Sequence, residues 1–451
     1  MTAPDLTRIA TKVVDGARPG EQLEAYVIRS RETEVKVFGG EVESLSVAEI
    51  AGIGVRVIAD GRQGIAYAGS LDADVILATV SDARDNASYG APDDAYGLAR
   101  PADLDGVTAP VLDLWRDDVL TTPTADKVAM AIATDRAVMA ADSRVRSVES
   151  TDYGDAALEM AMVASTGVSA NLARTMASAS TAAMAGERDA TQTGYGFDAG
   201  RAFGDLDIEH AAAMAAERST RLLGATQPKT ARLPVIFDPL VTASVLSLIG
   251  AALNGEAVLK GRSMFADRLG ETVGAPTVDI VDDPTNPVAF GASPFDGEGI
   301  PTRATTLVRG GLLVGFLHNL YTARRNGIAT TGSAVRGYAS TPGVGARALH
   351  FRPGTKSPAE IMRSVPEALY VQSVSGLHSG TNTTSGDFSV GAEGLMVRNG
   401  QLAEPVREVT VASTLQRMLL DVIEIGSDLT WLPGGTAGLT LLVADMTMAG
   451  A

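Results

Sequence analysis

Side chains that bind metals or transfer protons are scarce in this sequence. It contains four histidines, His210, His318, His350 and His378, and no cysteine. The closest two, His350 and His378, are 28 residues apart, so no helix can present two imidazoles on one face, as zinc peptidase motifs require. A metal site would have to be assembled from distant residues without any thiolate. His210 lies in an alanine-rich stretch, and we predict a half-exposed helical position for it.

His378 and Ser379 are adjacent, which raises the question of nucleophilic catalysis. Neighbouring residues on a strand point to opposite faces, so the two side chains are not expected to form a Ser–His pair. Ser379 also lacks the G-x-S-x-G context of a nucleophile elbow. We interpret "GLHSGTNTTSGDFS" as a polar loop that leads into a strand.

The acidic residues Asp282, Asp283, Asp296 and Glu298 could supply oxygen ligands to magnesium or calcium, but their spacing does not fit an EF-hand loop. Aspartate before proline or glycine is typical of turns, and the sequence predicts turns here. No phosphate-binding loop occurs, and "GVGAR" lacks the dinucleotide fingerprint. Spacing alone therefore identifies no active site.

Composition limits the classes of function. The 451 residues are 45% hydrophobic and 20% charged, with a formal net charge of −17, which argues against a general nucleic-acid or anionic-membrane surface. The N-terminal stretch lacks the apolar core of a signal peptide. The longest nearly apolar run, residues 241–253, is shorter than the roughly 20 residues that span a bilayer. We expect a cytoplasmic protein without disulfides.

The first half predicts an α+β domain over residues 1–228. A first helix precedes five short β-type runs, "EAYVIRS", "EVKVFGG", "VESLSVAEI", "AGIGVRVIADG" and "RQGIAYAG", which predict an antiparallel meander with turns at Gly39-Gly40 and Asp60-Gly61. Later stretches predict further helices, one capped by Thr124 and one ending at Gly224.

Residues 229–451 predict a second α+β domain with mainly antiparallel sheets. Two echoing stretches, "VRGGLL" at 308–313 and "VRNGQL" at 397–402, predict hairpins.

Within this half, "DPLVTASVLSLIGAALNGE" predicts a helix that Asp238 and Pro239 begin and that Asn254-Gly255 ends. Apolar residues cover most of its circumference, and a stripe of small residues allows another backbone to pack closely, so we predict a buried helix.

Read in order, the second half resembles the TldD/PmbA family. The matching stretches, spread over nearly all of residues 234–430, are "PVIFDP", "NGEAVLKGRSMFADRLGETV", "DDP", "PFDGEGIPT", "GGLLVGFLHNLYTARRNGIATTGSAVR", "PG" with "SPAEIM", "TTSGDFSVGAEGLMVRNGQLAEPV" and "VIEIGSDL". The β-meander is consistent with the family's N-terminal domain. In this family, TldD-type and TldE-type (PmbA) subunits form a zinc-dependent peptidase.

The resemblance also shows what this chain lacks. TldD-type subunits carry H-E-x-x-x-H followed by "LEGD", and aligning that tetrapeptide with residues 253–256 places the two zinc-binding histidines at Leu246 and Ala251 and the catalytic glutamate at Ser247. None of these side chains can perform that role, and the family's C-terminal cysteine ligand is missing. The resemblance therefore implies a degenerate metal-site helix, with no metal bound by this chain and zinc on a TldD-type partner.

The implied function is that of a non-catalytic TldE/PmbA-like subunit, which would shape a cavity for unfolded or flexible peptides and bind the TldD-type subunit. An extended peptide could be held by strand addition to a sheet edge. Arg336, His378 and Asp387, which lie in or beside the matching motifs, are the predicted peptide-binding residues.

Two other functions stay open. One is a stand-alone peptide-binding or modulator protein without proteolysis. The other is an independent hydrolase with an unconventional metal site built from His378, Asp387 and His318. The sequence does not identify the substrate, the stoichiometry, or whether homodimers form without a partner.

Overall fold

The computed structural model describes residues 3–451. The elements of its first half are α1 (Ala3–Val14), β1 (Glu21–Phe38), β2 (Glu41–Ala59), β3 (Arg62–Ala68), α2 (Ala73–Tyr89), α3 (Asp118–Thr121), α4 (Thr124–Ala141), β4 (Val145–Ala164), β5 (Ser169–Ala185), β6 (Gln192–Gly200) and α5 (Ile208–Thr220). Single 3-10 turns lie at Pro101–Leu104, Arg188–Ala190 and Phe203–Asp205.

The six strands form one antiparallel sheet in the order β3-β2-β1-β4-β5-β6. The predicted meander is confirmed, but its five short runs are three long strands, because the alternation continues through the polar residues between the runs. Both predicted turns are confirmed. Residues Gly39, Gly40, Asp60 and Gly61 all have positive φ, as the two-residue turns of twisted hairpins require.

The two faces of this sheet have different neighbours. On β1 and β2, odd-numbered residues such as Ala25, Val27 and Val55 pack against α1 and α2, whereas even-numbered residues such as Tyr26 and Ile58 belong to a cluster shared with the C-terminal half. This alternation is the two-residue period of a strand. The helices thus cover one face, and the C-terminal half covers part of the other.

Two helix ends differ from their predictions. Thr124 is the first residue of α4, and the capping position is Pro123, which makes no side-chain capping bond. Helix α5 ends at Thr220, and Gly224, with φ +77°, lies in the following turn. Gly224 has the left-handed backbone conformation that a glycine at a helix end predicts. It lies at the end of the turn after α5, however, and not at the end of the helix.

The elements of the second half are β7 (Ala231–Phe237), α6 (Pro239–Ala252), α7 (Gly255–Leu259), β8 (Ile280–Asp282), β9 (Thr305–Arg309), β10 (Leu312–Leu313), α8 (Leu320–Asn326), β11 (Ala334–Val335), β12 (Gly343–Val344), β13 (Leu349–Phe351), α9 (Pro358–Arg363), β14 (Glu367–Ser375), α10 (Leu377–Gly380), β15 (Asp387–Arg398), β16 (Gln401–Thr414), α11 (Leu415–Leu420), β17 (Val422–Ile425), β18 (Thr430–Trp431), β19 (Ala437–Gly438) and β20 (Leu441–Ala449).

The main sheet of this half has the order β16-β15-β14-β7-β20-β17, and β16 also pairs with β20, so five strands close into a ring. Strands β7 and β14 are parallel, and the other pairings in this sheet are antiparallel. Both predicted hairpins are present, as β9–β10 and β15–β16. The prediction of an α+β fold with mainly antiparallel sheets and flanking helices is confirmed.

No helix in residues 3–451 is both long enough and apolar enough to cross a membrane. The boundary predicted at residues 228/229 falls between α5 and β7, where the N-terminal sheet has ended and the ring has not begun.

Candidate functional site between the two halves

Helix α6 begins as its sequence predicts. The Asp238 Oδ1 atom accepts a hydrogen bond from the Leu240 amide at 3.0 Å, and Pro239 occupies the first turn. Strand β19 packs on the helix so closely that a Cβ on Gly438 would lie 1.7 Å from the Pro239 carbonyl oxygen. Another backbone therefore packs closely on the start of α6, near Ala243, whereas Ser247 and Ala251 of the predicted small-residue stripe are exposed.

The end of α6 differs from the prediction. The helix stops at Ala252, and Gly255 does not have a positive φ. Asn254 instead begins α7, because its Oδ1 accepts a hydrogen bond from the Glu256 amide at 2.8 Å. Glycine is required at 255 for space, since a Cβ there would lie 2.3 Å from Nδ1 of His318. Asn254 and Gly255 therefore lie at the start of α7 and do not end α6.

One face of α6 is exposed. Leu246 is fully buried in the core, as predicted for this helix, but Ser247 and Ala251 are exposed. The Ser247 Oγ lies 3.1 Å from Oγ1 of Thr436, in the loop between β18 and β19. The prediction of a buried helix is therefore right for its apolar surface and wrong for this face.

A buried ionic network joins the two halves of the chain. The Arg56 Nη2 atom lies 3.0 Å from Oε2 of Glu24, and Nη1 lies 3.5 Å from Oε1 of Glu298 in the other half. Arg336, also from the second half, pairs with Glu24. All four side chains are at most 4% exposed. Loss of Arg56 would leave the buried Glu298 without its ion-pair partner, and loss of Glu24 would do the same to Arg336.

The network includes carboxylates with displaced pKa values. Burial raises the pKa of Glu298 to about 7; the attraction of Arg56 opposes this rise and the Asp296 carboxylate adds to it. Burial also raises the pKa of Asp296. At Glu24 the effect of burial is outweighed by Arg56 and Arg336, which hold its pKa below the usual value. Glu298 is thus a buried group that titrates near neutral pH.

A cleft of about 610 Å³ opens between the N-terminal sheet and loops of the second half. Strands β1, β4 and β5 form one wall, where Ser30 lies opposite Leu158 and Leu158 opposite Arg174. Opposite them lie residues of the second half, including the 433–435 loop. That loop continues into Thr436, so the cleft adjoins the exposed face of α6.

The sequence matches three family models that together cover most of the chain. PmbA/TldA metallopeptidase domain 1 matches residues 23–87, the central domain matches 117–223, and the C-terminal domain matches 230–450. The chain belongs to the TldD/PmbA family. The first two models meet in a single sheet here, since β1–β3 and β4–β6 are hydrogen-bonded through β1 and β4.

Individual relatives agree with this assignment. The chain is 27% identical to metalloprotease PmbA of Escherichia coli O157:H7 over 428 residues, which cover 95% of this chain and 92% of that protein. It is 25% identical to a Bacteroides thetaiotaomicron VPI-5482 protein described as a candidate modulator of DNA gyrase, with a TM-score of 0.88 over 98% of both chains. The fold also matches TldE from Thermococcus kodakarensis, with a TM-score of 0.89 over the full length of both chains at 21% identity.

The positions that the TldD/PmbA resemblance gives to zinc ligands do not fit a metal ion. Leu246 and Ala251 have hydrocarbon side chains without a donor atom. Leu246 points into the core while Ala251 is exposed, as expected for positions roughly 140° apart around a regular helix. Among the described residues, no group of three or more His, Cys, Asp or Glu side chains could hold a metal ion.

The three predicted peptide-binding residues of this family member are not all together. Arg336 is buried, pairs with Glu24, and lies 4.7 Å from the centre of the Tyr26 ring. His378 and Asp387 are both exposed near the start of β15. The Arg336 side chain therefore belongs to the contact between the two halves, and peptide binding by these residues stays a prediction.

The histidines occupy separate environments. His318 is buried, with Nδ1 3.1 Å from Oγ1 of Thr322, and burial lowers its pKa. His350 packs edge-to-face on Trp431. His210 lies on α5, as predicted for a helix, but is exposed rather than half-exposed. His378 and Ser379 lie in the short helix α10, so the prediction of a plain loop is wrong there.

The sequence did not predict that the acidic residues Asp296 and Glu298 are buried. The Asp296 Oδ1 atom accepts from the Glu298 and Ile300 amides, which is the predicted turn, yet both carboxylates are almost fully buried. The signal that could have indicated this lies elsewhere in the chain. Glu24 and Arg56 interrupt apolar strands, "EAYVI" and "GVRVI", and buried charges require partners.

Proposed function

We propose that this chain is the metal-free, TldE/PmbA-type subunit of a heteromeric zinc metallopeptidase and that a TldD-type partner carries the zinc and the catalytic residues. The observation that carries the proposal is the face of α6 where Ser247 and Ala251 stand in the place that the resemblance gives to a catalytic glutamate and a metal ligand. The similarity to metalloprotease PmbA over 92% of its length supports this proposal, and the TldE-like fold is consistent with it.

The cleft gives this subunit a physical role in handling a peptide. It adjoins the exposed face of α6, and its sheet wall carries apolar side chains, among them Ile28, Leu158 and Met176. Such a wall suits an extended segment whose side chains alternate. A folded protein presents few free extended segments, so a site of this kind selects unfolded or flexible peptides.

An open strand edge supports the association with a partner. Strand β2 pairs with β1 along its whole length, but β3 reaches only as far as Ile53. In the described chain, residues 41–51 therefore have a neighbouring strand on one side only. Val42, Leu45 and Val47 on this edge are between 41% and 48% exposed. Long apolar edges are normally covered, because they invite pairing with another chain.

The test compares three preparations from the same source: this chain alone, the TldD-type chain alone, and the two co-expressed. Zinc content and cleavage of an unstructured peptide are measured for each. The proposal expects this chain alone to be free of zinc and inactive, and the co-purified pair to carry zinc and cleave the peptide. A pair whose partner has its motif histidines replaced by alanine serves as the inactive control.

Two results separate the other functions. Failure to co-purify, together with peptide binding but no cleavage, would establish a stand-alone binding protein. Stoichiometric metal and cleavage by this chain alone would establish an independent hydrolase, and either result would overturn the proposal.

A further inference from the structure

Three arginines meet in the cleft between the two halves. Arg174 comes from β5, Arg201 follows β6, and Arg347 lies between β12 and β13, so distant parts of the chain supply them. Within residues 3–451 none of the three pairs with a carboxylate. Glu32 is the one acidic residue that the described cleft wall contains, and its Oε1 accepts a hydrogen bond from Ser30 Oγ.

Two of these arginines are fixed in place by backbone carbonyls. Arg201 Nη2 donates to the Ala289 carbonyl oxygen at 2.6 Å, and Arg347 Nη2 donates to that of Ala334 at 2.8 Å. The Nε atoms of Arg201 and Arg347 are buried without a hydrogen-bond partner in the described structure. The Arg174 side chain makes neither a hydrogen bond nor an ion pair in that same part of the chain. The cleft thus holds two anchored guanidinium groups and one that is available to a ligand.

Burial and the neighbouring positive charges lower the pKa values of two of these groups. Burial, with Arg174 and Arg116 nearby, lowers the pKa of Arg201 to about 10. Burial and the charge of Arg347 also lower the pKa of Arg174. Crowded, partly desolvated cations are unfavourable unless an anion accompanies them. The chain as a whole has a net charge of −17 and would repel anions, whereas this cleft carries a local excess of positive charge.

We propose that the arginine cleft, defined by Arg174, Arg201 and Arg347, binds a carboxylate of a peptide. Planar guanidinium groups match the geometry of a carboxylate and form short, charge-assisted hydrogen bonds with it. Leu158, Met176 and Phe290 line the same cleft and provide an apolar surface beside the charge. The peptide character of the ligand rests on the proposed function, whereas the carboxylate rests on the arginines alone.

The carboxylate could be the C-terminus of the peptide or an acidic side chain, and the experiment distinguishes these sources. Fluorescence anisotropy is measured with the full-length chain and three labelled forms of one unstructured peptide. The first ends in leucine with a free carboxylate, the second is its C-terminal amide, and the third is the amide with one internal glutamate. The labels are at the N-terminus, so the three forms differ in whether they carry this carboxylate and in where it lies.

We expect the wild-type chain to bind one of the two carboxylate forms at least roughly tenfold more tightly than the plain amide, the size of effect that one charge-assisted contact can supply. Arg174→Gln should abolish that preference without unfolding the chain, since no side-chain hydrogen bond or ion pair of the described residues involves Arg174. The matched control is Arg309→Gln, which removes the same charge from an exposed position on β9 and should leave the preference unchanged.

Equal binding of all three peptides, no binding of any, or a preference that survives Arg174→Gln would overturn the proposal. A circular-dichroism melting curve for each variant shows that the fold is intact. The outcome is independent of the co-expression test. The chain could show a binding preference that depends on Arg174 and yet form no active complex with a TldD-type partner. That pair of results would support the carboxylate site and reject the subunit function.

Discussion

Arg56 on β2 and Glu298 in the segment before β9 face each other across the boundary between the two halves, with Nη1 3.5 Å from Oε1. Arg56 also bonds both carboxylate oxygens of Glu24. The same guanidinium group therefore pairs with one carboxylate from its own sheet and one from the other half. This arrangement couples the position of the second half to the integrity of the N-terminal sheet.

Arg56→Met should destabilise the chain strongly. The substitution leaves the buried Glu298 carboxylate without its counter-charge and leaves Glu24 with Arg336 alone, for which we expect a loss of about 3–5 kcal/mol in the free energy of unfolding. Urea unfolding followed by circular dichroism measures the change. Arg352→Met is the matched control, because Arg352, which pairs with Asp279, is 65% exposed and ion pairs at the surface contribute less than about 1 kcal/mol. Equal losses in the two variants would show that the buried network does not stabilise the fold.

The raised pKa of Glu298 predicts a pH dependence of stability. Its pKa is about 7 in the folded chain, against a reference value of 4.5, so between these pH values the folded state binds more protons than the unfolded state. Stability from this group is therefore fully present below about pH 4.5 and is lost as pH rises through 7, by roughly 1–3 kcal/mol. Unfolding measured from pH 5 to 8 should show this decline.

Glu298→Gln should remove part of that decline, since the amide keeps an acceptor for the Leu320 N–H, which Glu298 Oε2 binds at 2.8 Å, but cannot titrate. The Asp296 carboxyl, whose pKa is also raised by burial, would account for a remaining slope. Glu149→Gln, at an exposed position on β4, is the control and should follow the wild-type curve. Identical pH profiles for Glu298→Gln and the wild type would contradict the assignment.

Local signals in the sequence were sufficient for most of the fold. Paired turn residues such as Asn399-Gly400 fixed the β15–β16 hairpin, because few other residues adopt the positive φ values that it needs. The start of α6 was predictable from Asp238 and Pro239, because aspartate is favoured as a helix cap and proline at the first helical position. Its end was not, because whether Gly255 provides a left-handed turn or simply space depends on His318, which is more than sixty residues away in the sequence.

The candidate site was less predictable than the fold. The arginines of the cleft come from positions 174, 201 and 347, and no local pattern connects them. Arg336 was predicted to bind peptide, which stays a prediction, and its pairing with Glu24 in the other half of the chain was not predicted. When two charged residues meet only in the tertiary structure, the sequence signal is a polar residue within an apolar strand. That signal does not identify the partner residue.

The two positions that the TldD/PmbA resemblance gives to zinc ligands differ in burial. We therefore expect histidine substitutions at these positions to lower the stability by different amounts. Leu246→His places a polar ring in the core and should cost about 2–5 kcal/mol of stability, because Leu246 is fully buried. Ala251→His should change stability by less than about 1 kcal/mol, since the site is exposed. Denaturant unfolding of both variants provides the comparison. Similar losses would mean that α6 is rotated relative to the structure described here.

The open edge of β2 should be the part of the surface most sensitive to substitutions that affect assembly. Leu45→Lys places a charge among the exposed apolar residues at 41–51, so it should weaken association with a TldD-type partner at least roughly tenfold while leaving the melting temperature of the isolated chain nearly unchanged. Analytical ultracentrifugation of the mixed chains measures the association. Leu77→Lys is the control, because Leu77 is an equally apolar and even more exposed residue, on helix α2. If both variants bind the partner as the wild type does, the edge of β2 is not the contact surface, and if both weaken binding equally, the effect is one of net charge rather than of position.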